Sequence, residues 1–427
     1  MLKVFKEHFY KLYHKPTLIQ QKVYQPLSTG HNVVGLSPTG SGKTVAFLLP
    51  LLENVTRDSE SQLVIFEPSQ ELAIQTSHVA REWANLLHLT VLSLIGGANL
   101  RRQKENLKKR HPQIVVGTPG RIQVLVDSNH LKLGHLQSVV IDEADNLLTG
   151  NTLEVIRGIL DHGPSHVQLS FFSATDTDIL HHLKQWFAQD VERIDVRRQD
   201  KTRGPVLHGL LRIGMRKRNL MLKMLMDVPH FKALVFFNNL KELNQTYSYF
   251  KHLNIHRVAK LAGYQGQIPR AKAMRGFRKN KIQLLLTTDV TARGLDIPAL
   301  PAVINYEVPK HKIEYIHRIG RTGRMGHKGL VINFGDSHDF RDLRHECQGL
   351  GYHFELIYFY DKQILNREQL KKARAKDHAE HPQKKHITEP NQHRHYHSHK
   401  HHQRKRKNSK NKGMWHKWRK EDRRHQH

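Results

Sequence analysis

Short apolar runs recur through this chain with room for one helix between each pair, and that alternation constrains the fold more than any other feature. In the first half the runs fall at 33–36, 63–66, 91–95, 114–116, 139–141 and 169–172. At 139–141 three β-branched residues in a row, between polar flanks, read as a short strand buried on both faces. Such strands, separated by helical stretches, predict a doubly wound α/β domain with a parallel sheet. A second series follows at 206–211, 233–237, 282–286, 302–306 and 330–334. Between the two, the polar segment 198–205 ends in Gly204-Pro205 and reads as a linker. The expected domains are 1–197 and 206–362, followed by a basic tail over 363–427.

The run at 139–141 delivers Asp142-Glu143-Ala144-Asp145 at its C-terminal end, and open parallel sheets bind ligands just beyond that end. Asp142 is placed to hold a hydrated Mg²⁺, and Glu143 to orient or deprotonate a water. Upstream, Ser37-Pro38-Thr39-Gly40-Ser41-Gly42-Lys43-Thr44 stands between a strand-like run and a helical one. Its glycines let backbone N–H groups close around phosphates at a helix N-terminus. Lys43 reaches the β- and γ-phosphates, and Thr44 offers its hydroxyl to the Mg²⁺ that Asp142 also holds. A strict phosphate loop has glycine at position 37, where this chain has serine. The arrangement predicts nucleoside triphosphate binding.

Composition narrows the partners. The 427 residues carry 69 Lys plus Arg against 38 Asp plus Glu, a formal net charge of +31. That excess points to a polyanion, nucleic acid or an acidic membrane surface. The lone cysteine, Cys347, excludes an internal disulfide and a cysteine-based metal site. The start of the chain has no signal-like apolar core, and no run approaches the ~18 apolar residues of a membrane span. A cytoplasmic location without membrane contact is expected.

Further groups surround the two anchors. Gln20 follows Pro16-Thr17, a helix start, and its amide matches the amino group and N7 of adenine. Tyr13, with Phe5 as the alternative, supplies a ring to stack on that base. Pro68 to Ala73, Gly96-Gly97 and Thr118-Pro119-Gly120-Arg121 end predicted strands and carry phosphate-binding groups suited to a strand backbone. Ser173 and Thr175 end the strand after Asp142, within reach of Asp142 or Asp145. In the second domain, Thr288 to Asp296 and His317 to Arg324 form two dense motifs. Arg321 and Arg324, three apart, are placed to face a γ-phosphate across a cleft as arginine fingers.

This set of motifs, in this order, resembles the DEAD-box ATP-dependent RNA helicases of helicase superfamily 2, over roughly residues 9–335. The resemblance implies two tandem RecA-like domains, with ATP and Mg²⁺ as cofactors. It implies ATP binding by Tyr13, Gln20, Ser37, Thr39, Gly40, Ser41, Gly42, Lys43 and Thr44, with Asp296 on the ribose. It assigns metal contact to Thr44 and Asp142, and catalysis to Lys43, Asp142, Glu143, Arg321 and Arg324. Coupling of hydrolysis to strand separation falls to Ser173 and Thr175, and RNA contact to Gly97, Thr118, Arg121, Gln267, Arg270 and Thr288. The chain departs from the family pattern at Ser69 and Gln70 (threonine and arginine in the family), at Ala262 (often histidine), and at Thr287 and Thr291 (alanines).

The expected activity is RNA-stimulated ATP hydrolysis with local unwinding of short duplexes and remodelling of RNA or RNA–protein complexes. Single-stranded RNA and short duplexes are the expected partners, read with little sequence preference. Ribosomal particles and RNA-decay assemblies are both compatible settings. A DNA translocase fits less well, given Gln20 and the Asp-Glu-Ala-Asp spelling. The alternative is an RNA chaperone or assembly clamp in which the tail dominates and ATP sets residence time. From 366 to 427 the tail holds 20 Lys plus Arg against 6 Asp plus Glu. Nearly devoid of aliphatic residues, it is expected to be disordered. It contains a histidine cluster at His393, His395, His397, His399, His401 and His402, and it carries Trp415 and Trp418 among cations.

Overall fold

A computed structural model describes residues 1–380, leaving out 203, 293–296, 298, 299, 325 and the side chains of Gln267 and Val290. The first half is a seven-stranded parallel sheet. Its strands are β1 (Val33–Leu36), β2 (Leu63–Phe66), β3 (Val91–Leu94), β4 (Ile114–Gly117), β5 (Ser138–Ile141), β6 (Gln168–Ser173) and β7 (Glu192–Asp195). Their spatial order is β3-β4-β2-β5-β6-β1-β7.

Every residue of β1, β2, β4, β5 and β6 is buried, because successive side chains enter different cores. Val33, Ile65, Val116, Val140 and Phe172 join the helices Lys3–Leu12, Leu18–Ser28, Lys43–Leu52 and Gln70–Ala84 on one face. Val34, Val64, Val115, Val139 and Phe171 meet Pro119–Asp127 and Asn151–Leu160 on the other. Strand β7 had no counterpart in the expected series. Its Glu-Arg-Ile-Asp sequence is largely exposed at the sheet edge and carries no apolar run.

The second half repeats the plan with eight strands. They are β8 (Val206–Arg212), β9 (Ala233–Phe237), β10 (Val258–Lys260), β11 (Leu284–Thr288), β12 (Ala302–Asn305), β13 (Gly329–Gly335), β14 (Phe354–Tyr360) and β15 (Gln363–Asn366). The order is β10-β11-β9-β12-β13-β8-β14-β15, parallel except for β15, which runs antiparallel to β14. Both sheets have helices on both faces, so the chain is two tandem RecA-like α/β domains.

Two expectations are corrected. The strand expected at 282–286 is β11, two residues further on. The amides of Lys281 and Ile282 both bond to Gly276 O, closing the helix Gln267–Arg278 before the strand begins. The tail expected from residue 363 starts later: β14 and β15 form a hairpin, and Arg367–Glu380 is helical. Asp361 and Lys362 make that turn with φ of +43° and +55°, the paired positive φ of a two-residue hairpin. Neither residue is the Asn or Gly that signals such a turn. The rest of the expected tail, 381–427, lies outside the described residues.

The chain divides into two compact units, 1–373 and 374–427. Within the first, the inter-domain segment lies against the second domain. Gly204 N donates to Gly323 O at 2.9 Å, and a Cβ on Gly204 would fall 2.0 Å from His327 O, so only glycine allows this approach. Among the described residues, no helix is long and apolar enough to cross a membrane.

Candidate functional site

Strands β1, β6 and β5 are neighbours, so the loops leaving their C-terminal ends stand side by side. After β1 comes the phosphate-type loop. Gly40 and Gly42 adopt φ of +82° and +85°, conformations open to glycine at little cost. Gly42 is the N-cap of the helix Lys43–Leu52, whose first amides point into the loop. The Ser37 and Ser41 hydroxyls pair at 2.7 Å, both buried. Serine in place of the strict loop's glycine thus bridges the ends of the turn. Lys43 folds back over the loop and donates to Ser37 O at 3.3 Å. A mostly buried lysine beside a glycine loop at a helix N-terminus is an arrangement suited to polyphosphate.

After β5 comes the acidic cluster. Asp142 is almost wholly buried, and its Oδ1 accepts the Glu143 amide at 2.9 Å. Burial first, then the charge of Glu143, push its carboxyl up to about 7, with Lys43 pulling the other way. Glu143 is left-handed at φ +48°, a strained conformation for a non-glycine residue that its surroundings must hold. Asp145 is pulled up by burial, but hydrogen bonds and charge from His317, with a bond from Thr175, outweigh it and leave the carboxyl below its usual range. Thr175 Oγ1 donates to Asp145. The Ser173 hydroxyl reaches neither aspartate; it donates to Thr175 O at 2.6 Å and accepts from Thr175 N at 3.0 Å. The Asp142 carboxylate and the Thr44 hydroxyl are oxygen donors of the kind Mg²⁺ takes, and a cation on Asp142 would offset the burial and the Glu143 charge that raise its carboxyl.

One member of this cluster had escaped notice. Glu67, directly after β2, is fully buried; Thr76 donates to its Oε1 at 2.6 Å, while its Oε2 has no hydrogen-bond partner. Burial, then the charge of Asp142, hold its carboxyl well above the ordinary range. The signal was an acid set between an apolar run and Pro68.

Gln20 sits in the first turn of Leu18–Ser28. Its Oε1 accepts the Thr17 amide at 2.9 Å, and its Nε2 donates to Gly42 O at 3.2 Å. The expected adenine reader therefore also braces the phosphate loop. Tyr13 is half-buried against Phe9, with ring centres 5.0 Å apart. Phe5 is fully buried beside Trp83 and cannot stack on a base. Asp296 lies outside the described residues.

The second domain closes the site. His317, on the helix Lys312–Ile319, brings Nε2 to 2.9 Å from Asp145 Oδ2. Gly320, at the end of that helix, meets Thr39 so closely that a Cβ would fall 2.3 Å from Thr39 Oγ1. The Arg324 stem lies 3.1 Å from where a Cβ on Gly40 would stand, with its Nε donating to Gly320 O at 2.8 Å. Arg321 is buried beside His317 and Arg318. Beneath them the Arg318 guanidinium is fixed by both oxygens of Asp289, at 2.7 and 2.6 Å. Glu143, Asp145 and His317 present ligand atoms within 4.8 Å of one another; the His317–Asp145 hydrogen bond accounts for the closeness of those two without an ion.

The residues with implied RNA roles occupy the other half of each sheet's C-terminal edge. Gly97 (φ +69°) turns after β3, and Thr118 caps Pro119–Asp127 after β4. Arg121 donates to Ala98 O and Gln103 Oε1 at 3.1 and 2.8 Å. Gln70 Nε2 lies 3.3 Å from where a Cβ on Gly96 would stand, so the residue replacing arginine still reaches this turn. Across the cleft, Thr288 ends β11. Thr287, Thr288 and Thr291 pool their hydroxyls, with Thr291 Oγ1 at 2.9 Å from Thr287 and 3.1 Å from Thr288. Gln267 starts the helix after β10, its side chain outside the described residues. Arg270 ion-pairs with Glu71 of the first domain and donates to Ala262 O at 3.2 Å.

Two RecA-like domains that bring acid, phosphate loop and arginines to one cleft define a helicase-type architecture. Residues 17–183 match the family model described as DEAD/DEAH box helicase, and 216–326 match the helicase conserved C-terminal domain. The chain belongs to the DEAD-box ATP-dependent RNA helicases. It is 36% identical over 342 residues to the probable ATP-dependent RNA helicase YfmL of Bacillus subtilis, covering 79% of this chain and 90% of the relative. With the ATP-dependent RNA helicase CshA of Limosilactobacillus reuteri it shares 35% identity over 339 residues, 79% of this chain and 68% of the relative. Among solved structures, S. cerevisiae Dbp5 bound to RNA and ADP BeF3 superposes with a TM-score of 0.74 at 27% identity, over 83% of this chain and 93% of that one. Mss116p bound to ssRNA and AMP-PNP gives 0.73 at 26%, over 85% and 78%.

Proposed function

We propose that this protein hydrolyses ATP in the cleft between its domains when single-stranded RNA lies across both, and that the bound strand is thereby pulled out of short duplexes. The observation that carries this reading is the division of one site between two domains. Lys43, Asp142 and Glu143 stand on the first, whereas His317, Arg321 and Arg324 come from the second, His317 meeting Asp145 and Arg324 meeting the phosphate loop. The RNA-bound structures of similar proteins support it.

In this reading Lys43 and the loop amides hold the β- and γ-phosphates, and Gln20 faces the adenine. A Mg²⁺ held by Asp142 and Thr44 would neutralise phosphate charge. Glu143 orients the attacking water and takes its proton. Arg321 and Arg324 neutralise charge developing on the transferred group, a contribution worth ~10³–10⁵ in rate for this chemistry. Because they arrive only with the second domain, hydrolysis waits on closure. RNA contacting Gly97, Thr118 and Arg121 on one side and Gln267, Arg270 and Thr288 on the other favours the closed form, and by linkage ATP then favours RNA. Thr175, bonded to the Asp145 that His317 reaches, ties the two events together. Contacts made to phosphate and sugar give little sequence preference.

The test is ATP turnover with and without single-stranded RNA. Turnover should depend on RNA, Lys43→Ala should weaken nucleotide binding, and Glu143→Gln should bind but not turn over. Equal rates with and without RNA would overturn the reading. Strand displacement with a non-hydrolysable ATP analogue, by full-length and tail-less protein, separates a helicase from a clamp governed by its tail.

A further inference from the structure

The loop 261–266, between β10 and the helix Gln267–Arg278, carries a side chain that the ATPase and backbone-contact roles leave unused. The loop is held on one side by Thr291, which bonds to Thr288 of the RNA reading, and on the other by Arg270. Thr291 Oγ1 donates to Leu261 O at 3.2 Å, Gly263 sits against Thr291, and Arg270 bonds to Ala262 O. From this clamped segment Tyr264 stands out with 60% of its surface exposed.

That ring is exposed yet anchored. Its hydroxyl donates to Asn244 Oδ1 at 2.7 Å and accepts from Lys260 Nζ at 2.7 Å, and Lys260 also bonds to Asn244 at 2.7 Å. The ammonium lies 5.2 Å from the ring centre. Being in contact with the hydroxyl and so far from the centre, it sits beyond the oxygen, near the ring plane, and does not cover a face. A tyrosine held by its hydroxyl with its faces open has already lost the rotamer freedom that stacking would otherwise cost. The surroundings are cationic: Lys260 at its tip, Lys272 and Arg275 exposed on the following helix, and no acidic residue on that helix.

We propose that Tyr264 is a stacking platform for one unpaired nucleobase of the bound strand, beside the backbone contacts of Arg270 and Thr288. The inference rests on the RNA reading above and adds a base contact to a groove otherwise directed at phosphates. Stacking of a base on an aromatic side chain is tolerant of sequence, so weak sequence preference is preserved.

The experiment uses the full chain, a fluorescent oligoadenylate and a non-hydrolysable ATP analogue. Tyr264→Ala should weaken binding about five- to a hundredfold, and Tyr264→Phe and Tyr264→Trp should retain most of it. A single abasic nucleotide, scanned along the oligomer, should weaken wild-type binding at one position and add nothing to Tyr264→Ala there. Unchanged binding by Tyr264→Ala would overturn the proposal, as would equal losses in Tyr264→Ala and Tyr264→Phe with no abasic position singled out, which would make the residue merely structural. Either result leaves RNA binding itself intact. If the wild type bound no RNA at all, the RNA reading would fall and the platform with it.

Discussion

The imidazole of His317 meets the carboxylate of Asp145 at 2.9 Å, although 172 residues separate them in the chain. Each belongs to a different domain, so the bond exists only while the cleft is closed. Asp145 is fully buried there and stays ionised, because His317 and Thr175 outweigh the effect of burial. A hydrogen bond to a charged group is worth ~1.5–3 kcal/mol. His317→Ala should therefore raise the RNA concentration for half-maximal ATPase about ten- to a hundredfold. Nucleotide binding through Lys43 should be retained, measured with a fluorescent ATP analogue in the absence of RNA.

Gly320 and Thr39 meet closely across the two domains. A methyl group at Gly320 would stand 2.3 Å from Thr39 Oγ1 and 2.8 Å from its Cγ2. Gly320→Ala should hold the cleft ajar and abolish RNA-stimulated turnover while the domains stay folded, checked by circular dichroism. Thr39→Ala on that background removes both of those atoms and should restore part of the rate. A Gly320→Ala protein with full activity would show that closure does not need this contact.

In the proposed site, a cation on Asp142 would compete with a proton. With its carboxyl raised from 3.8 to about 7, the fold favours the protonated form, so the nucleotide-free protein loses stability as pH rises from 3.8 toward 7. Glu67 is shifted in the same direction. A cation on Asp142 must displace the proton below that pH, so affinity for Mg²⁺-ATP should rise up to about pH 7 and level off above it. Titration calorimetry in buffers of different ionisation enthalpy should find proton release near pH 6 and little near pH 8. Glu67→Gln should raise the melting temperature at alkaline pH, since it removes one buried acid.

Residues 381–427 hold 15 Lys plus Arg against 3 Asp plus Glu, and the helix Arg367–Glu380 sets the place to cut. Truncation after Glu380 should raise the half-saturating RNA concentration and flatten its salt dependence, by ~0.7 in slope for each phosphate no longer neutralised. Maximal turnover should hardly change, because the assigned catalytic groups all precede residue 325. ATPase titrations with RNA at two salt concentrations decide it; a drop in maximal rate with unchanged half-saturation would place the tail in the catalytic machinery.

What the sequence alone determined is local. Val139-Val140-Ile141 specified a strand buried on both faces, with Asp142 and Glu143 at its end. Gly40 and Gly42 around Ser41 specified a loop that only left-handed backbone can close. Other strands went unread for local reasons: β7 is a charged edge, β10 has three residues, and β14, although Leu356 to Tyr360 is apolar and aromatic, leads into a hairpin turn on Asp361 and Lys362 that carries no glycine. Tertiary structure decided which distant groups meet. Nothing near Asp145 specifies His317, nothing near Thr39 requires glycine at 320, and Arg270 finds Glu71 only across the cleft. A strand is encoded by the burial of its own residues, whereas a contact between domains depends on where two separately folded sheets bring their loops.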